Sequence, residues 1–229
     1  ISLEQNLGRP EFARLYTDIA DQLTQTIRGK YWDDTRQLFA DTPDRATFSQ
    51  HVNALAILAG LVDEATQKAI GQSLLSDDSL APASIYFKYY LHLALNEAGF
   101  GDQYLDWLDI WRENMASGLT TWGETSQVAS TRSDCHAWGA SPNIEFFRII
   151  LGIESAAPGF RQVRIEPHLG NLATISGTMP HPSGTISVAY ERSGTQLQAE
   201  ITLPQNISGL FIWNNTSYEL HGGSNRLAL

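Results

Sequence analysis

Hydrophobic residues recur at helical spacing from Pro10 to about Gly152, and from Arg161 onward they alternate with polar residues. A repeat of three to four residues is typical of helices with one buried face, whereas a repeat of two is typical of half-buried strands. The pattern therefore predicts a helical part followed by a strand part. Pro158-Gly159 breaks both patterns, so we expect two domains, at 1–157 and 158–229.

The first part predicts six helices whose ends have a physical reason. Proline suits the first turn of a helix, because its missing N–H would be unpaired there, and glycine suits the left-handed residue after the last turn. Pro10, Pro82 and Pro142 fit the first role, and Gly99, Gly118 and Gly152 fit the second. The predicted helices span about 10–29, 45–60, 63–75, 82–98, 102–117 and 142–151.

The helix after Pro82 is apolar around most of its circumference, and Lys88, His92 and Asn96 form its one polar stripe. A helix that is apolar nearly all round is buried among other helices. The next helix carries its apolar residues on a single face, which is typical of an outer helix. This alternation of inner and outer helices favours a two-layer helical toroid.

The second part predicts about seven short strands with frequent turns. Ile186, Val188 and Tyr190 share one face of a strand, and the turn Ser193-Gly194 joins it to the next strand. That content is typical of a small antiparallel β-sandwich. The other strands are expected at about 161–166, 173–179, 197–203, 209–213, 216–220 and 225–228.

Composition excludes several classes of function. The chain of 229 residues is 42% hydrophobic, enough for a substantial core, and its net charge of -10 disfavours nucleic acid as a partner. No apolar stretch is long enough to predict a membrane span. The motifs of zinc proteases, nucleotide enzymes and Rossmann oxidoreductases are missing from the sequence, so we expect neither a metal nor a cofactor.

The beginning of the chain and its cysteine content bear on where the protein acts. The sequence begins at Ile1 without a leader pattern, and we expect a processed or cut product. Cys135, the single cysteine, leaves the redox compartment undecided. Localisation stays open on these grounds, with the periplasm or secretion favoured over the cytoplasm.

Residues 120–141 combine two tryptophans, a glutamate, an aspartate and a histidine without helical or strand periodicity. A loop of this length inside a compact domain is uncommon unless it has a function. Tryptophan rings stack on sugar rings, and carboxylates with imidazoles bind sugar hydroxyls. Glycosidic cleavage further needs a pair of carboxyl groups, of which Glu124 is a candidate.

Each of these residues also has an ordinary structural interpretation. A glutamate in a loop is usually a solvated surface residue, and Trp122 and Trp138 would more often be core anchors than sugar platforms. His136 alone would more often be a satisfied polar residue, and Cys135 a small buried one. Local chemistry therefore leaves the assignment open.

The motifs of this segment resemble those of the α-L-rhamnosidases of glycoside hydrolase family seventy-eight. Thr120-Thr121-Trp122-Gly123-Glu124 is similar to the family's Thr-Thr-x-Trp-Glu motif, and Ser133-Asp134-Cys135-His136 is similar to the Ser-x-x-His segment that follows it. The resemblance extends over most of the chain. Its other parts are Gly29 to Asp34, Leu38 to Asp41, Gln50 to Ala56, Gly152-Ile153, Pro158-Gly159-Phe160 and Ile165-Glu166-Pro167.

The resemblance implies the C-terminal half of an (α/α)6 catalytic toroid followed by a β-sandwich. It also implies an inverting enzyme that acts on terminal α-L-rhamnose in a glycoside or polysaccharide. Glu124 would be the general base, and His136 would bind rhamnose, with Trp122, Trp138 and Asp134 as further substrate-binding candidates. One departure concerns Trp122, which precedes Gly123 here, whereas the family places its tryptophan next to the glutamate.

The family's general acid lies upstream, and nothing in this sequence matches it. We therefore expect an apolar edge where the N-terminal part of the catalytic domain associates, and no catalysis by this segment alone. Two other classes stay open: a non-catalytic carbohydrate-binding protein, and another toroid enzyme. A sugar phosphorylase would need a basic anion site, for which the loop has only Arg132, and a polysaccharide lyase would need a tyrosine or lysine base.

Overall fold

The computed structural model describes the backbone of residues 1–229 and every side chain except that of Val128. Contacts divide the chain into two compact units, Ile1–Ala98 and Gly99–Leu229. The domains predicted from the sequence, 1–157 and 158–229, have another boundary than these contact-based units, and that domain division stays a prediction. The α-helices are α1 Ser2–Leu7, α2 Pro10–Tyr31, α3 Gln50–Leu58, α4 Glu64–Ser76, α5 Lys88–Leu95, α6 Asp109–Ala116 and α7 Pro142–Glu145.

The six predicted helices each correspond to a helical segment, with shifted ends. α3 begins after Ser49 and α4 after Asp63, because these side chains accept hydrogen bonds from Val52 N and Thr66 N in the first turn. The predicted helix 102–117 is a 3-10 helix, Gly101–Leu108, that continues into α6. Likewise α7 continues as a π-helical turn, Phe146–Ile150.

The predicted helical start at Pro82 is wrong, because α5 begins at Lys88. The chain before it is held extended: Ala81 bridges Ser49, and Ala83 N donates to the side chain of Gln50 at 2.8 Å. The glycine prediction is correct, since Gly99, Gly118 and Gly152 have φ values of 87°, 91° and 73°.

The first unit also contains a short hairpin that the sequence pattern did not predict. Its strands are β1 Trp32–Asp33 and β2 Leu38–Phe39. Asn53 of α3 is completely buried and bonds both Phe39 N and Phe39 O, at 2.8 and 2.9 Å. This pair of hydrogen bonds fixes the hairpin against α3.

α2 leaves much of its apolar stripe in contact with solvent. The exposed residues recur at helical spacing and include Phe12, Leu15, Tyr16, Ile19 and Leu23, which are 43–55% exposed. An exposed apolar row of this kind is typical of an interaction surface. The structure therefore has an apolar edge of the kind expected from the sequence.

The second unit contains eight strands: β3 Ile153–Ser155, β4 Gln162–Ile165, β5 Thr174–His181, β6 Gly184–Ser193, β7 Gln196–Leu203, β8 Ser208–Trp213, β9 Thr216–Leu220 and β10 Gly223–Ala228. They form two four-stranded sheets, in the orders β10-β7-β6-β5 and β3-β4-β8-β9. The predicted strands are all present, and the short strand Ile153–Ser155 was not predicted. One pairing departs from the antiparallel expectation, because Gln162–Ile165 pairs parallel to Ser208–Trp213.

A single hydrophobic cluster contains residues of both sheets. Val188 and Ile201 contribute from one sheet, and Ile165 and Phe211 from the other. The alternating burial of β7, in which every second residue is buried, shows why the sequence has a period of two there. Tyr190 of β6 lies in this core and donates its hydroxyl to Leu151 O at 2.9 Å, tying the sheet to the end of the helical segment.

Candidate active site in the segment between α6 and α7

Residues 120–141 run from the end of α6 to the start of α7 and fold back on themselves. Glu124 N donates to Ser133 O at 2.9 Å, and His136 N donates to Trp122 O at 2.7 Å. Trp138 Nε1 donates to Glu124 O at 2.7 Å. Two hydrogen bonds therefore hold the Thr-Thr-x-x-Glu motif against the Ser-x-x-His motif, and a third joins Glu124 to Trp138, two residues beyond it.

Glu124 is buried, with only 6% of its surface exposed, which corrects the expectation of a solvated loop glutamate. Its carboxylate is held by Arg132, whose Nη2 contacts Oε1 and whose Nε donates to Oε2 at 3.3 Å. The Arg132 side chain is itself 83% exposed. A buried carboxylate is therefore paired with a cation that reaches it from the solvent side.

The hydrogen bond from Arg132 is the main reason that the pKa of Glu124 lies below its usual range. Burial acts in the opposite direction, and the positive charge of Arg132 lowers the pKa of Glu124 further. The carboxyl group is therefore ionised at neutral pH. An ionised carboxylate can accept protons and hydrogen bonds, as a general base must.

His136 and Trp138 form a stacked pair, with ring centroids 3.9 Å apart and planes inclined by 26°. Nδ1 of His136 is buried and has no hydrogen-bond partner among the described residues. Trp138 is 41% exposed, so it is a surface platform as well as a donor to Glu124. Together these rings present an apolar face and an imidazole next to the candidate base.

Trp122 points to a different role. It is half-buried and lines an apolar cavity of about 330 Å³, together with Trp111, Met115 and Phe146. The residue therefore belongs to the wall between α6 and α7. This position agrees with the departure of its motif from the family pattern, in which the tryptophan stands next to the glutamate.

Two residues of the segment lie apart from this cluster. The Asp134 side chain is exposed and has no hydrogen bond to another described residue. Cys135 is exposed rather than buried, so the expectation of a small core residue is wrong. The fold-back explains why both side chains are exposed. Ser133 O and His136 N form the backbone hydrogen bonds to the other motif, and the two residues between them face the solvent.

The sequence reasoning missed two contributors. Arg132 is the basic residue of the loop, and a single cation near a candidate carboxylate in the sequence was a signal that could have indicated their ion pair. Trp111 of α6 donates Nε1–H to Gly139 O at 2.7 Å in a buried hydrogen bond. No local pattern indicates this contact, because it joins residues 28 positions apart.

Neither a metal site nor a membrane helix is found in the part of the chain that the structure describes. Its histidine, cysteine and acidic side chains form no group of three or more that could hold a metal ion. Its helices include none that is both long and apolar enough to span a bilayer.

Comparison with known proteins gives consistent matches. A family model for the bacterial α-L-rhamnosidase C-terminal domain matches residues 152–226. An α-L-rhamnosidase of Alteromonas sp. (strain LOR) is 35% identical over 68 residues, which are 29% of this chain and 7% of that protein. This similarity extends to solved structures.

The family seventy-eight rhamnosidase of Bacillus sp. GL1 has a TM-score of 0.82 and 27% identity, over 92% of this chain and 24% of its own. The Streptomyces avermitilis α-L-rhamnosidase, solved with L-rhamnose, has a TM-score of 0.78 and 18% identity, over 100% of this chain and 25% of its own. The chain thus spans about a quarter of the length of these structures. Motifs, fold and relatives agree: residues 152–226 match the bacterial α-L-rhamnosidase C-terminal domain, and the chain is similar to a segment of the α-L-rhamnosidases of glycoside hydrolase family seventy-eight.

Proposed function

We propose that the enzyme containing this chain hydrolyses terminal α-L-rhamnosides with inversion, and that Glu124 is its general base. The observation that carries the proposal is the buried, ionised carboxylate of Glu124 beside the stacked rings of His136 and Trp138. Rhamnose is the proposed sugar because the similar proteins are named α-L-rhamnosidases, one of them solved with L-rhamnose.

In the proposed reaction, Glu124 removes a proton from water as the water oxygen attacks the anomeric carbon. The bond from that carbon to the glycosidic oxygen breaks, and a second carboxyl group gives its proton to the departing oxygen. The resemblance places that acid upstream of this chain. Both proton transfers are then needed, so the segment alone should be catalytically silent.

The neighbouring residues would hold the sugar. We assign the imidazole of His136 to a rhamnose hydroxyl and the exposed ring of Trp138 to the apolar face of the sugar. Trp122 would support the pocket from behind, through the cavity wall that it shares with α6 and α7. Asp134, which is exposed, would contact the more distant part of the substrate.

The architecture follows the same proposal. The helices of 1–157 would form the C-terminal half of an (α/α)6 toroid, and residues 158–229, which contain every strand of the two sheets except β3, a β-sandwich. The apolar stripe of α2, defined by Phe12, Leu15, Tyr16, Ile19 and Leu23, would be covered by the rest of the catalytic domain.

Replacement of Glu124 by Gln in the complete enzyme tests the base assignment. The amide keeps the shape but cannot take a proton, so kcat on an aryl α-L-rhamnoside should fall by about 10²–10⁴-fold. Glu113→Gln on the exposed face of α6 is the matched control and should retain activity. Unchanged hydrolysis by E124Q, with the substrate still bound, would refute the assignment.

The anomeric form of the first product tests inversion separately. Proton NMR during early hydrolysis should show β-L-rhamnose before mutarotation equalises the anomers. First appearance of the α-anomer would instead indicate a covalent intermediate and a retaining enzyme.

A non-catalytic carbohydrate-binding protein is the second candidate, and one observation favours it. Both carboxylate oxygens of Glu124 already contact Arg132, which leaves fewer positions for water. The E124Q experiment separates the two, because a pure binding protein would show no turnover in either form. The same ion pair weighs against a phosphorylase, since the charge of Arg132 is neutralised by Glu124.

A further inference from the structure

A second cavity, of about 390 Å³, lies at one end of the two sheets and shares no lining residue with 120–141. Two hairpin turns line it, one from each sheet: Gly194-Thr195 between β6 and β7, and Asn214-Asn215 between β8 and β9. The segment Glu166–His168, after β4, completes the wall. Turns held by a rigid sheet framework are common positions for binding residues, and this volume suits a small ligand.

Trp213 gives the cavity an apolar surface. The residue is half-buried, packs against the hydrophobic core of the sheets and lines the cavity beside Ile212. An indole ring fixed by core packing loses little conformational entropy when a ligand binds to it. Such a ring is suited to the apolar face of a sugar.

The polar groups at the mouth are available for a ligand. The side chains of Asn214, Asn215 and His168 make no hydrogen bond to another described residue. Asn214 and Asn215 have φ values of 49° and 61°, as a tight two-residue turn requires. The turn therefore fixes the backbone positions from which their side-chain amides extend. An amide offers donors and an acceptor, which match sugar hydroxyls.

The charged groups of the cavity nearly balance one another, which favours a neutral ligand. Glu166 pairs with Arg164, Arg192 donates to Gly170 O, and Asp102 accepts from Gly170 N at 3.0 Å. A phosphate or uronate would meet the positive charge of Arg192 together with the two carboxylates of Asp102 and Glu166, which offset that attraction. We propose that this cavity binds a neutral saccharide unit, with Trp213 against the ring and Asn214 and Asn215 on its hydroxyls.

This site takes no part in the proposed hydrolysis and would hold the glycan while the catalytic domain acts. The test uses the complete protein carrying both E124Q and H136A, so that the candidate active site contributes little binding. Methyl α-L-rhamnopyranoside, methyl β-D-glucopyranoside and a neutral rhamnose-containing oligosaccharide are titrated by calorimetry and saturation-transfer NMR, with galacturonate as the anionic comparison. At least one neutral probe should bind, and galacturonate should bind more weakly.

Adding N214G/N215G should then weaken that binding by about tenfold or more, because two amides are lost. Glycine adopts the same positive φ values, so the turn is retained while the hydrogen bonds are removed. W213A should weaken binding as well, and R226Q, on exposed β10, is the control that should not. Absence of binding by every neutral probe, or equal binding by the glycine variant, would overturn the proposal, whether or not the enzyme hydrolyses rhamnosides.

Discussion

Gly152, where the helical segment meets β3, should tolerate alanine much less well than Gly159 does. Both glycines are left-handed, with φ values of 73° and 70°. They differ in their surroundings, because a Cβ on Gly152 would lie 2.2 Å from the carbonyl carbon of Glu166, whereas one on Gly159 would meet nothing within 4 Å. The pair therefore separates the cost of backbone conformation from the cost of a clash.

The left-handed conformation costs an L-residue about 1–2 kcal/mol, and the reduced freedom of the unfolded chain returns about 0.4–1 kcal/mol. G159A should therefore lose at most about 1.5 kcal/mol. In G152A the backbone must also move by more than about 1 Å to restore ordinary contact. That shift strains the hydrogen bond from Glu166 N to Gly152 O, which is 2.9 Å long, and adds about 2–4 kcal/mol.

Thermal unfolding followed by circular dichroism measures the difference. At about 2–4 °C per kcal/mol for a chain of this size, G152A should melt at least about 4 °C below G159A. Hydrogen exchange of the β3–β4 amides should rise in G152A and not in G159A. Equal melting temperatures for the two variants would show that the Gly152–Glu166 contact relaxes freely, and would refute the reasoning.

Three other substitutions address the candidate site and its surroundings. In the complete enzyme, R132Q should move the acidic limb of the pH profile of kcat/KM to higher pH, because Arg132 lowers the pKa of Glu124 and the base must be ionised. R132K should move the limb less, and an unchanged limb in R132Q would show that Arg132 does not set the pKa of the base. W111F removes the buried hydrogen bond to Gly139, a loss of about 1–3 kcal/mol in local stability, and should speed amide exchange in 120–141 by about 5–150-fold. W32F, which removes an exposed hydrogen bond to Asp34, is the control and should leave exchange in that segment unchanged. L15K/I19K on the exposed stripe of α2 should reduce aggregation of the 229-residue chain, measured by light scattering, and should lower the melting temperature of the complete enzyme. An unchanged melting temperature of the complete enzyme would mean that nothing covers the stripe.

Local chemistry explains which features of the fold could be predicted. Gly99 and Gly152 end helical segments because a left-handed residue is needed there, and the alternation along β7 follows from burial of one face. The parallel pairing of β4 with β8 could not be predicted in this way. It depends on the register between Gln162 and Ser208, which lie far apart in sequence. The hydrophobic pattern of a strand shows which face is buried, but it does not show which strand is its neighbour.

The candidate site shows the same division. Its residue types marked 120–141 as unusual, and the family motifs singled out Glu124 and His136. The burial of Glu124 could not be inferred, since a fold-back held by single hydrogen bonds such as Trp138 to Glu124 O leaves no repeat in the sequence. Hydrogen-bonded contacts in an irregular segment depend on the whole path of the chain.

The pairing of Glu124 with Arg132 resolves a conflict that a buried base would otherwise face. Burial raises the pKa of a carboxyl group and favours its neutral form, which cannot accept a proton. A guanidinium that reaches in from solvent keeps the group ionised, but it also makes the carboxylate a weaker base. Because the Arg132 side chain is 83% exposed, a sugar bound as in the proposed function would be able to shift or partly replace it. Basicity at Glu124 would then be greatest once the sugar is in place, when deprotonation of water is useful.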